Sequence, residues 1–563
     1  MKQFFAKPAA PRPARFAAWA GWLAGYAAAL LGSAALVYGW RVFYEFNRLG
    51  ALPLTLCAWG VATLLYGAVF AAVRFARSLP ARAALCILVC GALFCFANPP
   101  FQTPDETSHF LRSWSISQGH FDFDYARTYP QDLARLAQAF PGAWVSAHTS
   151  VALGQDEAGT PKSYSSAGYA LKMRGEGARV ESVADSFAAY FDPAAPDPAP
   201  LHEPIVVMVL PFLPQALGIF IARLLGFGAL GCLYGARLAN LAVYAALCWA
   251  ALRGCRRYQP VFLAVMLLPL SLFMAASVSY DATLLGFYYL VASYYCRDEI
   301  TDRDVYWFLF AFWMMNSAKP WLNLLWVALP LILPRAAWKS RWKKWQTAAA
   351  ALAGALALTA FVEWYGGAFR YNYPAAAFDR MLGEAVVDQL GQLRFILGNL
   401  PRYLAVMLGT LYENLFFIGQ LGTFGWLDLP VPFINLLSPV LLVFAAALSV
   451  HEKSSLRALP AFGLGGLSVL YMAGAMTAMY ITYTPVGMVR ILGLQARYFL
   501  PAFLMLTVLL AALLSHVLGP RLAEGGRQAA LRLGLWVPAG FAALGAVLLF
   551  QHYFIGPVYL LPG

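Results

Sequence analysis

The sequence predicts an all-α polytopic membrane protein with about 13 transmembrane helices and a large extracytoplasmic loop subdomain. Three observations carry this. The 563-residue chain is 61% hydrophobic and only 12% charged, with a mean hydropathy of +0.62, whereas soluble domains carry about 25% charged residues. Apolar runs of about 20 residues recur along it, the length a helix needs to cross a hydrocarbon core. The net charge of +13 is unevenly spread: Pro99 to Pro204 holds thirteen Asp/Glu against seven Lys/Arg. The excess bases fall in short loops between apolar runs, which is the positive-inside pattern and not a nucleic-acid surface. The acidic segment therefore belongs on the non-cytoplasmic face.

In chain order, Lys2, Lys7, Arg12 and Arg15 place the N-terminus inside. The run Phe16 to Trp40 is too long for a signal peptide and lacks a cleavage site, so it is expected to remain as a span. Spans at 16–40 and 51–73 make an N-terminal two-span element, 1–82. A third span, 83–98, leads into a large loop, 99–228, whose 205–228 end is a helix lying along the interface. Central spans at 229–252, 261–279 and 282–297 follow, then two short spans within 304–334, broken near Asn316 to Pro320, and one at 346–363. These form a central block, 229–364. A second outer loop, 365–430, contains an interfacial helix at 401–420. Spans at 431–449, 458–480, 497–517 and 533–553 complete the C-terminal block, 431–563. The eight cysteines all lie in or beside apolar runs, which excludes a disulfide framework in the acidic loop.

This topology gathers polar residues on one face. Asn98-Pro99-Pro100-Phe101-Gln102-Thr103-Pro104-Asp105-Glu106 sets two carboxylates where a span meets water. Ionisable groups at that depth are costly and mark function, and the prolines restrict the backbone around them. If 105–112 is helical, starting at Thr103 or Pro104, then Asp105, His109 and Arg112 share a face. The same pattern also suits a capped helix start. Tyr280 and Asp281 sit at a turn between spans, Lys319 before Pro320 at a second turn as a lesser phosphate candidate, and Asp428 in Gly425-Trp426-Leu427-Asp428; with His109 and Arg112 they are expected to line the substrate and donor-phosphate site. Arg490 and Arg497 precede a span, and guanidinium groups there suit phosphate. The one cofactor the pattern admits is a divalent cation, with Glu106, His109 and Asp281 as candidate ligands. No spacing ties those three together.

Glycosyl transfer from a lipid-phosphate sugar fits this set. A carboxylate deprotonates the acceptor hydroxyl, and basic residues stabilise charge building on the departing phosphate. The chain shows no nucleotide-sugar domain, consistent with a donor linked to membrane lipid. Two other readings are a ligase or polymerase of lipid-diphosphate oligosaccharides, and a transporter or flippase of lipid-linked sugars. The latter expects charges along a path through the midplane.

The proline-flanked motif with His109, together with Ser279-Tyr280-Asp281-Ala282, Ser317-Ala318-Lys319-Pro320, Gly425 to Asp428 and Gln495-Ala496-Arg497-Tyr498-Phe499-Leu500-Pro501, resembles a family of bacterial multispanning membrane proteins. That family is known mainly as a domain of unknown function and often occurs near surface-polysaccharide genes. The match runs from about 83 to 517. The wider layout is similar to the GT-C glycosyltransferase superfamily, whose acidic motif in the first large outer loop holds the catalytic Asp. The resemblance implies an inner-membrane enzyme using polyprenyl-phosphate sugars, with a glycan or lipid acceptor. It implies Asp105 as base, Glu106 as its neighbour and Arg497 near the donor phosphate. Two features depart from the commoner plan: two spans precede the one leading to Asp105, and Ala496 stands where Gly is expected.

Overall fold

A computed structural model describes most of residues 76–554. Outside the described residues lie most of 1–75 and 555–563, the stretches 141–149, 156–160, 166–182, 370–386, 426–428, 451–457, 519–523 and 551–552, and a few single positions. The chain divides into two compact units, one formed mainly by 1–77 and the other by 78–554. In the first unit only scattered residues are described, so the spans expected at 16–40 and 51–73 fall largely outside them. Tyr26 Oη and Thr63 Oγ1 are 2.7 Å apart there, and Trp59 donates to the Leu30 carbonyl.

The second unit is a helical membrane protein. Among the described residues six helices are long and apolar enough to cross a bilayer: Leu79–Ala97, Ala229–Gly254, Lys344–Ala368, Gly463–Thr482, Ala496–Val517 and Gly526–Phe550. The lead-in helix, Leu79–Ala97, starts at Ser78, whose side chain accepts from the Ala81 N–H, with Pro80 in the first turn. It stops at Asn98, because the residue before a proline is driven out of the helical region. Its 19 residues span about 28 Å at 1.5 Å each, close to one hydrocarbon thickness.

Several expected spans take other forms. Residues 261–279 are not one helix but two, Gln259–Met266 and Pro269–Ala275. Pro269 supplies no N–H to the preceding turn and breaks it. Asp281–Ser293 is a 13-residue helix, buried at every position, as its all-round apolar sequence demands. It packs against Ala229–Gly254, Asp302–Asn316 and Leu500–Leu518. The 304–334 run is interrupted at Ser317 to Lys319, followed by the short pieces Pro320–Asn323, Leu324–Ala328 and Leu329–Ile332. Leu213–Leu224 and Leu400–Glu413 have 12 and 14 residues, about 18–21 Å, too short to cross the core at 1.5 Å per residue.

The large loop carries helices Glu106–Ser117, Gln131–Ala139 and Val183–Phe191 and a hairpin, Ser150–Gln155 with Pro161–Ser165. A bridge between Thr128 and His202 returns its end to its start. Leu213–Leu224 then docks on Ala229–Gly254 through paired glycines. A Cβ added at Gly218 would lie 2.3 Å from the Gly235 carbonyl oxygen, so only glycine permits this approach.

Candidate functional site

The turn between the lead-in helix and Glu106–Ser117 is built from the proline motif. Asn98 Nδ2 donates to Thr103 Oγ1 at 2.8 Å, and the Glu106 N–H donates to the Thr103 carbonyl at 3.1 Å. Phe101 and Asp105 both take left-handed backbone angles, φ 60° and 63°. Such conformations cost about 1–3 kcal/mol each unless the surroundings over-determine them. Glu106, not Thr103 or Pro104, is the first helical residue, and Asp105 is the N-cap, with no side-chain capping bond. The His109 N–H donates to the Asp105 carbonyl, so the expected i, i+4 relation holds through the backbone.

What over-determines the turn is Glu106 and a residue the sequence reading missed, Arg237. Arg237 Nε donates to Glu106 Oε1 at 2.8 Å and Nη2 to Oε2 at 2.7 Å. Its remaining N–H groups reach the carbonyls of Cys95, Asn98 and Pro99 at 2.6–2.8 Å. Glu106 Oε1 also accepts from the Val278 N–H at 2.8 Å. Both side chains are fully buried. One ion pair thus ties the end of the lead-in helix, the start of Glu106–Ser117 and the turn ahead of Asp281. Asn240 Nδ2 secures the same turn by donating to the Ser277 and Ser279 carbonyls, and Gln215 adds a bond to Ser279. An arginine in the middle of the apolar run 229–254 was the available signal, since an intramembrane charge demands a partner.

Beyond this clamp lies a second cluster. Arg497, only 4% exposed at its side chain, pairs with Asp281 at 3.1 Å and lies 3.9 Å from Asp105, whose side chain is 57% exposed. Residues 105, 281 and 497 therefore meet at one place. Ser279 Oγ donates to Asp281 Oδ2 at 3.2 Å. Arg497 Nη2 donates to the Tyr498 hydroxyl at 3.4 Å, while its Nε is buried without a partner. Lys319 Nζ lies over the Tyr498 ring at 3.8 Å and the Tyr280 ring at 5.4 Å. His109 is buried between Phe212 and Tyr280, with ring centroids at 5.2 and 5.0 Å, and its Nδ1 has no partner. Burial lowers its pKa below the ordinary histidine value, against a partial upward pull from Asp105 and Asp281.

A small pocket, partly open to solvent and with room for about one water molecule, adjoins this cluster. Pro104, Gln420, Gln495 and Arg497 give it polar and rigid walls, and Phe273 and Met274 an apolar side. The Gln420 Oε1 acceptor is buried and unpartnered.

Other expected residues lie elsewhere. Arg490 pairs with Glu413 at 2.8 Å, and both are half-exposed. It is therefore held by a different carboxylate from the one beside Arg497. Arg112 donates to the Phe121 and Asp122 carbonyls and lies 3.8 Å from Glu203, which also pairs with Arg127. These contacts stitch the two ends of the large loop together, and they draw Arg112 away from Asp105. Asp428 lies outside the described residues. Among the described residues no three His, Cys, Asp or Glu side chains form a metal-ligand set. Of the candidate ligands, Glu106 is taken by Arg237 and Asp281 by Arg497.

A family model described as "Predicted membrane protein (DUF2142)" matches residues 202–506, which include Arg237, Tyr280, Asp281, Lys319 and Arg497. No curated protein and no solved structure matches the chain.

Proposed function

The chain belongs to the family described as Predicted membrane protein (DUF2142), and from that premise we propose a GT-C-type glycosyltransferase. It moves a sugar from a polyprenyl-phosphate donor to a glycan or lipid acceptor on the periplasmic face of the bacterial inner membrane. The topology that goes with this reading has about 13 spans. The observation that carries the reading is the exposed carboxylate of Asp105, 3.9 Å from a buried arginine that lines a small, partly open pocket. A general base must be reachable by the hydroxyl it deprotonates, and the exposure of Asp105 allows that.

In this mechanism the acceptor oxygen attacks the anomeric carbon of the donor. Its proton passes to the Asp105 carboxylate as the bond from that carbon to the phosphate oxygen breaks. The polyprenyl phosphate departs with the electron pair, and a single displacement inverts the anomeric centre. Charge on the phosphate grows during the step, so preorganised positive charge at the site favours the transition state over the ground state. Glu106 takes no part in the proton transfer, because both its oxygens are occupied by Arg237 and Val278.

The test is reconstitution in liposomes with a panel of labelled polyprenyl-phosphate sugars. The expected result is label appearing on an added acceptor with release of polyprenyl phosphate. Folded, monodisperse protein that transfers label from none of the donors contradicts the reading.

A further inference from the structure

The two cations at the site differ in how far their charge is already answered. Arg497 sits between Asp281 at 3.1 Å and Asp105 at 3.9 Å. Lys319 faces the Tyr498 ring at 3.8 Å and the Tyr280 ring at 5.4 Å, and among the described residues no carboxylate lies within ion-pair distance of it, Asp281 acting on it only at longer range. Lys319 is half-buried. Its backbone is fixed by the break before Pro320 and by Asn323 Nδ2, which donates to its carbonyl at 2.8 Å. Ring faces attract an ammonium, but less strongly than an anion does at such a place.

We propose that Lys319, seated against Tyr498, is the group that takes the phosphate of the lipid donor. Arg497 is then a positioning residue that pairs with Asp281 and sets its charge beside Asp105. This rests on the transferase reading for the identity of the lipid, and on the contacts above for the division of labour. An ammonium is a compact point charge and strengthens with the charge it faces. The sugar-linked phosphate is a monoanion, whereas the released polyprenyl phosphate carries more negative charge. Lys319 therefore holds product more tightly than donor. Arg497, paired with Asp281 at 3.1 Å and 3.9 Å from Asp105, sets a fixed positive charge beside the Asp105 carboxylate.

The experiment measures binding of polyprenyl phosphate to the full chain in nanodiscs, with the neutral polyprenol of equal length and inorganic phosphate as separate arms. The parent protein should bind the phosphate lipid better than the polyprenol. Inorganic phosphate competing at equal concentration would point to a free anion as the natural ligand, and would overturn the lipid assignment. Lys319→Met should weaken phosphate-lipid binding about 10- to 100-fold, the worth of a charge-assisted contact. Lys319→Gln is a second uncharged variant should the methionine form not fold, and Lys319→Arg should restore affinity to within about threefold. Arg497→Lys should leave this affinity within about threefold of the parent and reduce the rate of sugar transfer. Parental affinity in folded Lys319→Met, or a loss confined to Arg497→Lys, overturns the proposal. Binding that follows the proposal without any sugar transfer instead overturns the transferase reading and leaves the anion site standing.

Discussion

Asp105 and Glu106 are neighbours in sequence and opposites in environment. Glu106 is fully buried, bonded to Arg237 through both oxygens and to the Val278 amide. Asp105 is 57% exposed, sits on a left-handed backbone angle and has one distant cation, Arg497 at 3.9 Å. A carboxylate whose lone pairs are all answered can organise structure but has nothing left to accept a proton. A carboxylate with free lone pairs beside a partly open pocket can. The clamp at Glu106 fixes the turn on which Asp105 sits, so in the proposed mechanism the two regions act as support and tool.

The sharpest way to break this comparison is to remove Arg237. Arg237→Gln leaves Glu106 charged, buried and unpaired, which should cost about 3–5 kcal/mol. Thermal unfolding in detergent measures it. The double variant Glu106→Gln with Arg237→Gln removes both charges together and should recover most of that stability, while transfer stays low because the turn is no longer fixed. A double variant with parental transfer would show that the clamp does not position Asp105.

A smaller effect is expected from His109. Its folded pKa is lowered, chiefly by burial, with Asp105, Asp281 and Glu106 pulling upward and Arg497 downward. The unfolded chain takes up this proton near 6.5 and the folded chain only at lower pH. Below 6.5 the unfolded state therefore binds more protons, and stability falls as pH falls. The slope from this residue is at most about 1.4 kcal/mol per pH unit. His109→Asn should flatten the dependence of unfolding temperature on pH between 5 and 6.5, and an unchanged slope would contradict the assignment.

The smallest effect belongs to Arg490. Its partner Glu413 is half-exposed like itself, and such pairs contribute about 0–1 kcal/mol. Arg490→Gln should unfold within that range of the parent and retain transfer. A collapse of transfer would return Arg490 to the site.

The helical membrane class was legible because composition and run length report directly on the solvent around the chain. The break at Ser317 to Lys319 was legible from Pro320. The boundaries within 261–279 were not, because hydropathy is blind to the missing N–H of Pro269. Asp105, Asp281 and Arg497 could be grouped on one face from charge distribution alone, but their separations could not. Arg112 and Arg490 fit the same pattern as Arg497 and went to Glu203 and Glu413 instead, since several carboxylates on one face compete for each arginine. Arg237 lies inside an apolar run, away from its ends, where its charge requires a buried partner that the sequence does not name.

The central claim is that Asp105, and not Glu106, accepts the proton. Its most direct test is the single-turnover rate of sugar transfer in liposomes by Asp105→Asn, a near-isosteric change that keeps the turn and removes the base. The expected result is a fall of about 10²- to 10⁴-fold in rate with unfolding temperature and donor affinity near parental values. Full transfer by folded Asp105→Asn would contradict the claim.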